Sequence, residues 1–323
     1  MQAKKAILVK IVKHQCSTLL RASLCAMTTL LVAYSVLPAK ADVFFVSCPG
    51  TSSVVEFDSL GNETTFANNG LSIPVGLAFD QNGNLYVGDA GPSVIYKYDS
   101  LGNQSVFTDS LIFKPNGLAF DASGNLYVAN NGTYQIIKVT PQGQSTVFAN
   151  YPNIFGPEDL AFDKSGNLYV ANIAGNTVEE ITPSGNASVF ANTGFDTSPD
   201  GLAFDSSGNL YVACGASDTI EKFNPQGQGS VFASSGLNYP RGLAFDSSGN
   251  LYVANNAANS GGNGTIEKFN AQGQGTVFIT GLSYPSYIAV QPVPEPSACA
   301  FIVLGTATVA SLSVRNKRRR LAA

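Results

Sequence analysis

The sequence predicts an all-β fold, a six-bladed β-propeller of four-stranded blades, and three repeated words carry that prediction. The first is Gly-Leu-Ala-Phe-Asp, at 76–80, 117–121, 201–205 and 242–246, with Asp159-Leu-Ala-Phe-Asp163 as a fifth copy. Successive copies begin 41, 42, 42 and 41 residues apart, and a degenerate sixth, Tyr287-Ile-Ala-Val290, lies 45 residues after Gly242. The second word, Leu-Tyr-Val, begins at 85, 126, 168, 210 and 251, and Phe44-Phe45-Val46 fills the register 41 residues before Leu85. The third, Val-Phe or Thr-Phe, ends at Phe66, Phe107, Phe148, Phe190, Phe232 and Phe278. A period near 41 held through six copies is the mark of a repeat architecture, in which each unit buries its apolar face against the next.

Each element of the unit follows from its residues. Leu77 and Phe79 point to one side and Ala78 to the other, the period-two pattern of a strand packed on both faces. Asp80-Gln-Asn-Gly-Asn84 and Asp121-Ala-Ser-Gly-Asn125 read as hairpin turns in which Gly supplies a positive φ. A third strand such as Ile220-Glu-Lys-Phe223 follows, then a second hairpin such as Pro225-Gln-Gly-Gln228, then the Val-Phe strand. Closing such units into a ring leaves few exposed sheet edges. The first word is missing before Phe44, and its counterpart is residues 286–290. These two stretches are expected to pair, so that one blade is built from both ends of the body. The longer last spacing is assigned to the Gly/Asn-rich insert at 259–264.

The charge is uneven. All 22 acidic residues lie between Asp42 and Glu295, against 7 basic ones, a net charge of −15 for that stretch. A body this acidic repels phosphate backbones, which argues against nucleic-acid binding. The sole histidine, His14, precedes the body, which therefore has no imidazole for Ser-His-Asp or Cys-His catalysis or for a metal. Cys48 and Cys214 share one register two blades apart, too far for a disulfide, and read as small buried residues. Tyr86, Tyr127, Tyr169, Tyr211 and Tyr252 recur once per blade and read as core and blade-stacking rings.

The two ends read as addresses. Lys4, Lys5, Lys10, Lys13 and Arg21 precede an apolar stretch at 22–37 and then Ala39-Lys40-Ala41, the pattern of a signal peptide cut before Asp42 by signal peptidase. Residues 298–314 carry no charge and are followed by Arg315, Lys317, Arg318, Arg319 and Arg320. That is at the short limit for a transmembrane helix, with the basic cluster held on the cytoplasmic side. Preceded by Val293-Pro294-Glu295-Pro296, this tail resembles the PEP-CTERM sorting signal of bacterial envelope proteins. The resemblance implies recognition by an exosortase-type membrane enzyme and an extracellular or cell-envelope location, with transient anchoring by the C-terminal helix. The expected division is a signal peptide at 1–41, the propeller at 42–291 and the sorting signal at 292–323.

Chemistry is expected at the channel mouth. The first strand of a blade begins on the face where the second ends, so Val75, Asn116, Glu158, Asp200, Arg241 and Ser286, each after a proline, sit there. Cys48, Asp89, Asn130, Asn172, Cys214 and Asn255 end the second strands on the same rim. Asn116, Glu158 and Asp200 come from successive blades and are oxygen ligands suited to a divalent cation of the Ca²⁺ class, which takes about 6–8 oxygens. In the competing reading Arg241 neutralises Asp200 and the rim is a salt-bridged polar surface.

Pro-x-Gly-Leu-Ala-Phe-Asp, Gly-Asn-Leu-Tyr-Val-Ala-Asn and Thr-Ile-Glu-Lys-Phe together resemble NHL-type repeats and the SMP-30/gluconolactonase propellers. The resemblance implies, for lactonase-like members, a divalent cation held at the mouth by Glu, Asn and Asp, and Asn116 and Asp200 match two of those positions. The family's first-blade Glu has no equivalent, since Ser286 and Val75 stand there, and Asn116 and Asp200 lie two blades apart. Streptogramin-lyase-like propellers are similar in repeat sequence but depend on a catalytic histidine that the body lacks. Two functions follow. One is a non-catalytic binding or scaffold propeller of the envelope, contacting polysaccharide, protein or a cation; the other is a metal-dependent lactonase- or esterase-like hydrolase. Regular repeats without an acid–base constellation favour the first.

Overall fold

The computed structural model describes residues 42–150, 152, 154–192, 197–258 and 261–291. The expected signal peptide, the Val293–Pro296 motif, the C-terminal apolar stretch and its basic cluster lie outside the described residues. Within them are six four-stranded antiparallel sheets. Blade two runs Pro74–Phe79, Leu85–Asp89, Val94–Tyr98, Gln104–Thr108, and blade three Pro115–Phe120, Leu126–Asn130, Gln135–Val139, Ser145–Asn150. Blade four is Pro157–Phe162, Leu168–Asn172, Thr177–Ile181, Ala187–Asn192, and blade five Pro199–Phe204, Leu210–Cys214, Thr219–Phe223, Gly229–Ala233. Blade six is Pro240–Phe245, Leu251–Asn255, Asn263–Phe269 and Gly275–Ser283. Blade one joins the ends: Ile288–Val290 is its inner strand, beside Phe44–Cys48, Ser53–Phe57 and Glu63–Ala67. Inner strands of successive blades touch all the way round, closing the ring.

The seam forms as the repeat register requires. Phe44 pairs with Val290, Phe45 with Ala289 and Val46 with Ile288. Amide bonds Ser286 N to Ser47 O (2.9 Å), Ser47 N to Tyr287 O (3.1 Å) and Gln291 N to Val43 O (2.9 Å) extend the pairing at both ends. Val43 and Gln291 therefore leave the ring side by side, on the face opposite the mouth.

That lower face is organised by the Asp that ends the first word. Asp80 Oδ1 accepts the amides of Asn82 and Asn84 at 2.9 Å, and its Oδ2 accepts Asn84 Nδ2 at 2.7 Å. Gly83 holds the φ of 79° that the turn needs. Asp121, Asp163, Asp205 and Asp246 repeat this arrangement. Above it the tyrosines bind blade to blade. Tyr86 meets Phe107 of its own blade and Phe120 of the next edge-on, both at 4.9 Å. Its cluster mixes Ile95 of blade two with Leu118, Leu126 and Val128 of blade three. Each fully buried Leu or Ile in such a cluster contributes about 1.5–3 kcal/mol. Four tyrosines also carry an ammonium over the ring: Lys97 over Tyr86, Lys138 over Tyr127, Lys222 over Tyr211 and Lys268 over Tyr252, at 4.9–5.3 Å. Each lysine also faces the turn aspartate below, at 3.6–3.9 Å. Cys48 and Cys214 are free and buried, and burial pushes both thiols up to about 12, which leaves them unreactive.

Candidate functional site at the channel mouth

A β-bulge at the mouth end of the inner strand in blades two to six sets the site. Pro115 pairs with Asn130 and Leu118 with Val128, so three steps on one strand face two on its partner. The same irregularity recurs in blades two, four, five and six. The extra residue bends the strand and re-aims the position after proline. The following Gly lets adjacent inner strands approach, since a Cβ at Gly201 would run into the backbone of Arg241. Blades four and one break this rule with Asp159 and Tyr287.

The mouth residues then meet. Glu158 Oε2 accepts Asn116 Nδ2 at 2.9 Å and an Arg241 guanidinium nitrogen at 2.8 Å, and its Oε1 accepts Asn131 Nδ2 at 3.0 Å. Arg241 Nε faces Asp200 Oδ1 at 3.4 Å, while another of its nitrogens lies 3.5 Å from Ser286 Oγ. One guanidinium thus joins blades four, five and six, with its side chain only 20 % exposed. Beneath it the Tyr287 hydroxyl donates to Glu158 O at 2.6 Å. Asp159 stitches blade four to blade five, its Oδ1 accepting Leu160 N and its Oδ2 Leu202 N, both at 2.8 Å.

Burial governs the electrostatics. It pushes Asp200 up to about 7 against the pull of Arg241, with Glu158 adding to the rise. Asp159 is likewise raised to about 7 by burial, opposed by its two amide bonds. Glu158 is raised for the same reason, with Arg241 opposing. Two carboxylates about one guanidinium leave a net negative charge, which removal from water makes costly.

Of the residues expected at the site, Asn116, Glu158, Asp200 and Arg241 come together. Asp89, Asn130, Asn172 and Asn255 do not join them: these are buried inside the blades and hold the loop that leads into the inner strand. Asp89 accepts the Ser72 and Ile73 amides at 2.8 Å, and Asn130 accepts Phe113 N at 2.6 Å while donating to Leu111 O at 3.0 Å. Asn172 accepts Phe155 N at 3.3 Å and Asn255 accepts Asn238 N at 3.2 Å. The physical reason is the loop itself, whose buried amides need acceptors. Val75 is buried at its blade's mouth end and its carbonyl accepts Ser47 Oγ at 2.6 Å.

The residues present do not fit a divalent cation well. The guanidinium stands between the two carboxylates, and of their four oxygens only Asp200 Oδ2 is a buried atom without a hydrogen-bond partner. No group of three His, Cys, Asp or Glu placed to hold a metal occurs among the described residues. Sequence reasoning paired Arg241 with Asp200 and missed its shorter bond to Glu158, two blades away. It also missed Asp159 and Tyr287, whose signal was their replacement of the repeat's Gly.

Residues 44–154 match the SMP-30/Gluconolactonase/LRE-like region. Residues 146–178 match the N-terminal part of strictosidine synthase-like proteins. No curated protein matches the chain. Among solved structures, one from a Nidogen/Laminin complex aligns with a TM-score of 0.67 at 18% identity, covering 79% of this chain and 100% of that one. A virginiamycin B lyase from Staphylococcus aureus aligns at 0.61 with 14% identity, covering 78% and 89%. A gluconolactonase from Xanthomonas campestris aligns at 0.57 with 21% identity, covering 66% and 78%. At these identities the likeness is one of fold.

Proposed function

We propose that the body at 42–291 is a non-catalytic binding module of the bacterial cell envelope, exported by its signal peptide and sorted by its C-terminal tail through an exosortase-type enzyme. Its ligand is an envelope protein or extracellular polysaccharide met at the mouth face. The observation that carries this reading is Arg241 bound between Glu158 and Asp200, where a hydrolase of this shape needs an open cation site. A similar fold occurs in a Nidogen/Laminin complex, which is an assembly between proteins. The lyase-like alternative finds little support: a Staphylococcus aureus lyase of similar fold is described as inactive once a histidine becomes alanine, and this body has no histidine.

The second reading, a metal-dependent lactonase-type hydrolase, is favoured by the match over 44–154 and by the unpartnered Asp200 Oδ2. Lactone opening by the purified protein, assayed with Ca²⁺, Mg²⁺, Mn²⁺ or Zn²⁺ and with chelator, separates the two. The binding module shows no cation-dependent turnover and no difference in Asp200→Ala. Turnover that needs the cation and disappears in Asp200→Ala would replace it with the hydrolase.

A further inference from the structure

Four blades hold a lysine ammonium on the lower face, and the third strand puts it there. Strand pairing sets Lys97 opposite Tyr86, Lys138 opposite Tyr127, Lys222 opposite Tyr211 and Lys268 opposite Tyr252. In each pair the ammonium lies over the ring and beside the turn aspartate of the same blade. Blade four keeps both halves of this holder. Asp163 makes the same turn as its sisters. Tyr169 meets Phe190 and Phe204 edge-on at 4.9 and 5.0 Å, as Tyr211 meets Phe232 and Phe245. Opposite Tyr169, however, stands Glu180. The chain thus builds the holder, supplies no lysine to it and adds a second carboxylate.

The other charges near this point are already engaged. Lys164, exposed at the edge, donates to Ser206 O of blade five at 2.6 Å. Asp205, across the cleft, faces Lys222 at 3.6 Å. Glu180 and Asp163 take part in none of the ion pairs among the described residues. Both carboxylates are close enough to Tyr169 to raise its phenol, together with burial. Between blades four and five a cleft of about 330 Å³ opens onto them, walled by Phe190 and Phe204. Blade one also has a glutamate at this register, Glu56, but opposite Phe45 and with Gln291 in place of the turn aspartate.

We propose that the cleft of blade four binds a primary alkylammonium group, its nitrogen over Tyr169 between Asp163 and Glu180 and its alkyl chain along Phe190 and Phe204. The four sister blades choose this class, since each already holds such a group on the matching residues. A Ca²⁺-like ion wants about 6–8 oxygens, and Asp163 has little to give it. Its Oδ1 accepts two backbone amides and its Oδ2 the Asn167 amide, leaving room for the one contact that sister aspartates make with lysine. An aromatic face suits an organic cation, and the acidic body draws cations toward it. The site goes beyond the mouth-face reading and stands or falls separately from it.

The test titrates the full chain, in non-ionic detergent and low salt, with n-butylamine and with an acetylated Gly-Lys-Gly amide. The first arm represents a free amine and the second a lysine of another protein; tighter binding by one identifies the source. With isotope-labelled tyrosine, the Tyr169 ring signals should shift saturably, and the amine should raise the thermal midpoint. Glu180→Gln should weaken binding about fivefold or more, and added salt should weaken it further. Glu180→Lys places a tethered ammonium in the cleft, so it should fold stably while its midpoint no longer responds to amine. Lys222→Glu should open a second site, read as saturable shifts at Tyr211. No saturable binding up to about 10 mM amine, equal binding by Glu180→Lys, or Glu180-dependent binding of Ca²⁺ in place of amine would each overturn the proposal.

Discussion

The hydroxyl of Tyr287 donates a 2.6 Å hydrogen bond to the carbonyl oxygen of Glu158, joining residues 129 positions apart on blades one and four. Those blades stand opposite one another in the ring, so the side chain crosses the axis. Tyr287→Phe keeps the packing and removes the donor, leaving a buried carbonyl without that partner. The expected cost is about 1–3 kcal/mol, read as a lower urea midpoint with an unchanged slope.

Arg241 holds two buried carboxylates from other blades. Arg241→Met strands Glu158 and Asp200 and should cost about 3–5 kcal/mol at pH 8. The deficit should shrink at pH 5, because burial raises both carboxyls and the substitution removes the cation that opposes that rise. Equal losses at the two pH values would show that packing, not charge, sets the effect.

Stability should itself depend on pH through Asp159 and Asp200, both raised to about 7 by burial. Between about pH 4 and 7 the folded protein holds protons that the unfolded chain releases, so stability falls as pH rises through that window and levels off above it. Asp121 and Asp205 act oppositely, since hydrogen bonds in their turns hold both below the usual carboxylate range, and their contribution is lost in acid. The thermal midpoint should therefore be higher near pH 5 than at pH 8. Asp159→Asn/Asp200→Asn should flatten that slope.

Blade four lacks the lysine that sits over tyrosine in blades two, three, five and six. Glu180 occupies that place opposite Tyr169, and burial together with the negative charge of Glu180 raises the phenol. Glu180→Lys supplies the missing ammonium over Tyr169 and beside Asp163. A gain of about 1 kcal/mol, or about 2–4 °C in thermal midpoint, is expected from calorimetry.

Much of this architecture is legible in the sequence because strand words and turn words obey simple local rules. The pairing of Phe44–Val46 with Ile288–Val290 follows from register alone, since a strand missing at one end must be supplied by the other. The convergence of Asn116, Glu158 and Asp200 follows from the same count. What register does not reveal is which way a side chain turns once a bulge intervenes. Asn130 and Asn172 were expected on the rim because their backbone ends there, yet buried loop amides draw their side chains inward. Arg241 reaches past Asp200 to Glu158 because its length exceeds the spacing of one blade, which a linear reading does not weigh. That Asp163 and Tyr169 form a holder without its lysine shows only once strand pairing sets Glu180 opposite Tyr169.

Because Val43 and Gln291 are hydrogen-bonded neighbours at the seam, a short flexible linker could join them. New termini could then be opened in any lower-face hairpin, such as the turn at Asp121–Asn125. A circularly permuted chain of this kind would rebuild the same toroid from a different starting wedge. The point at which translation begins is thus separable from the shape it produces.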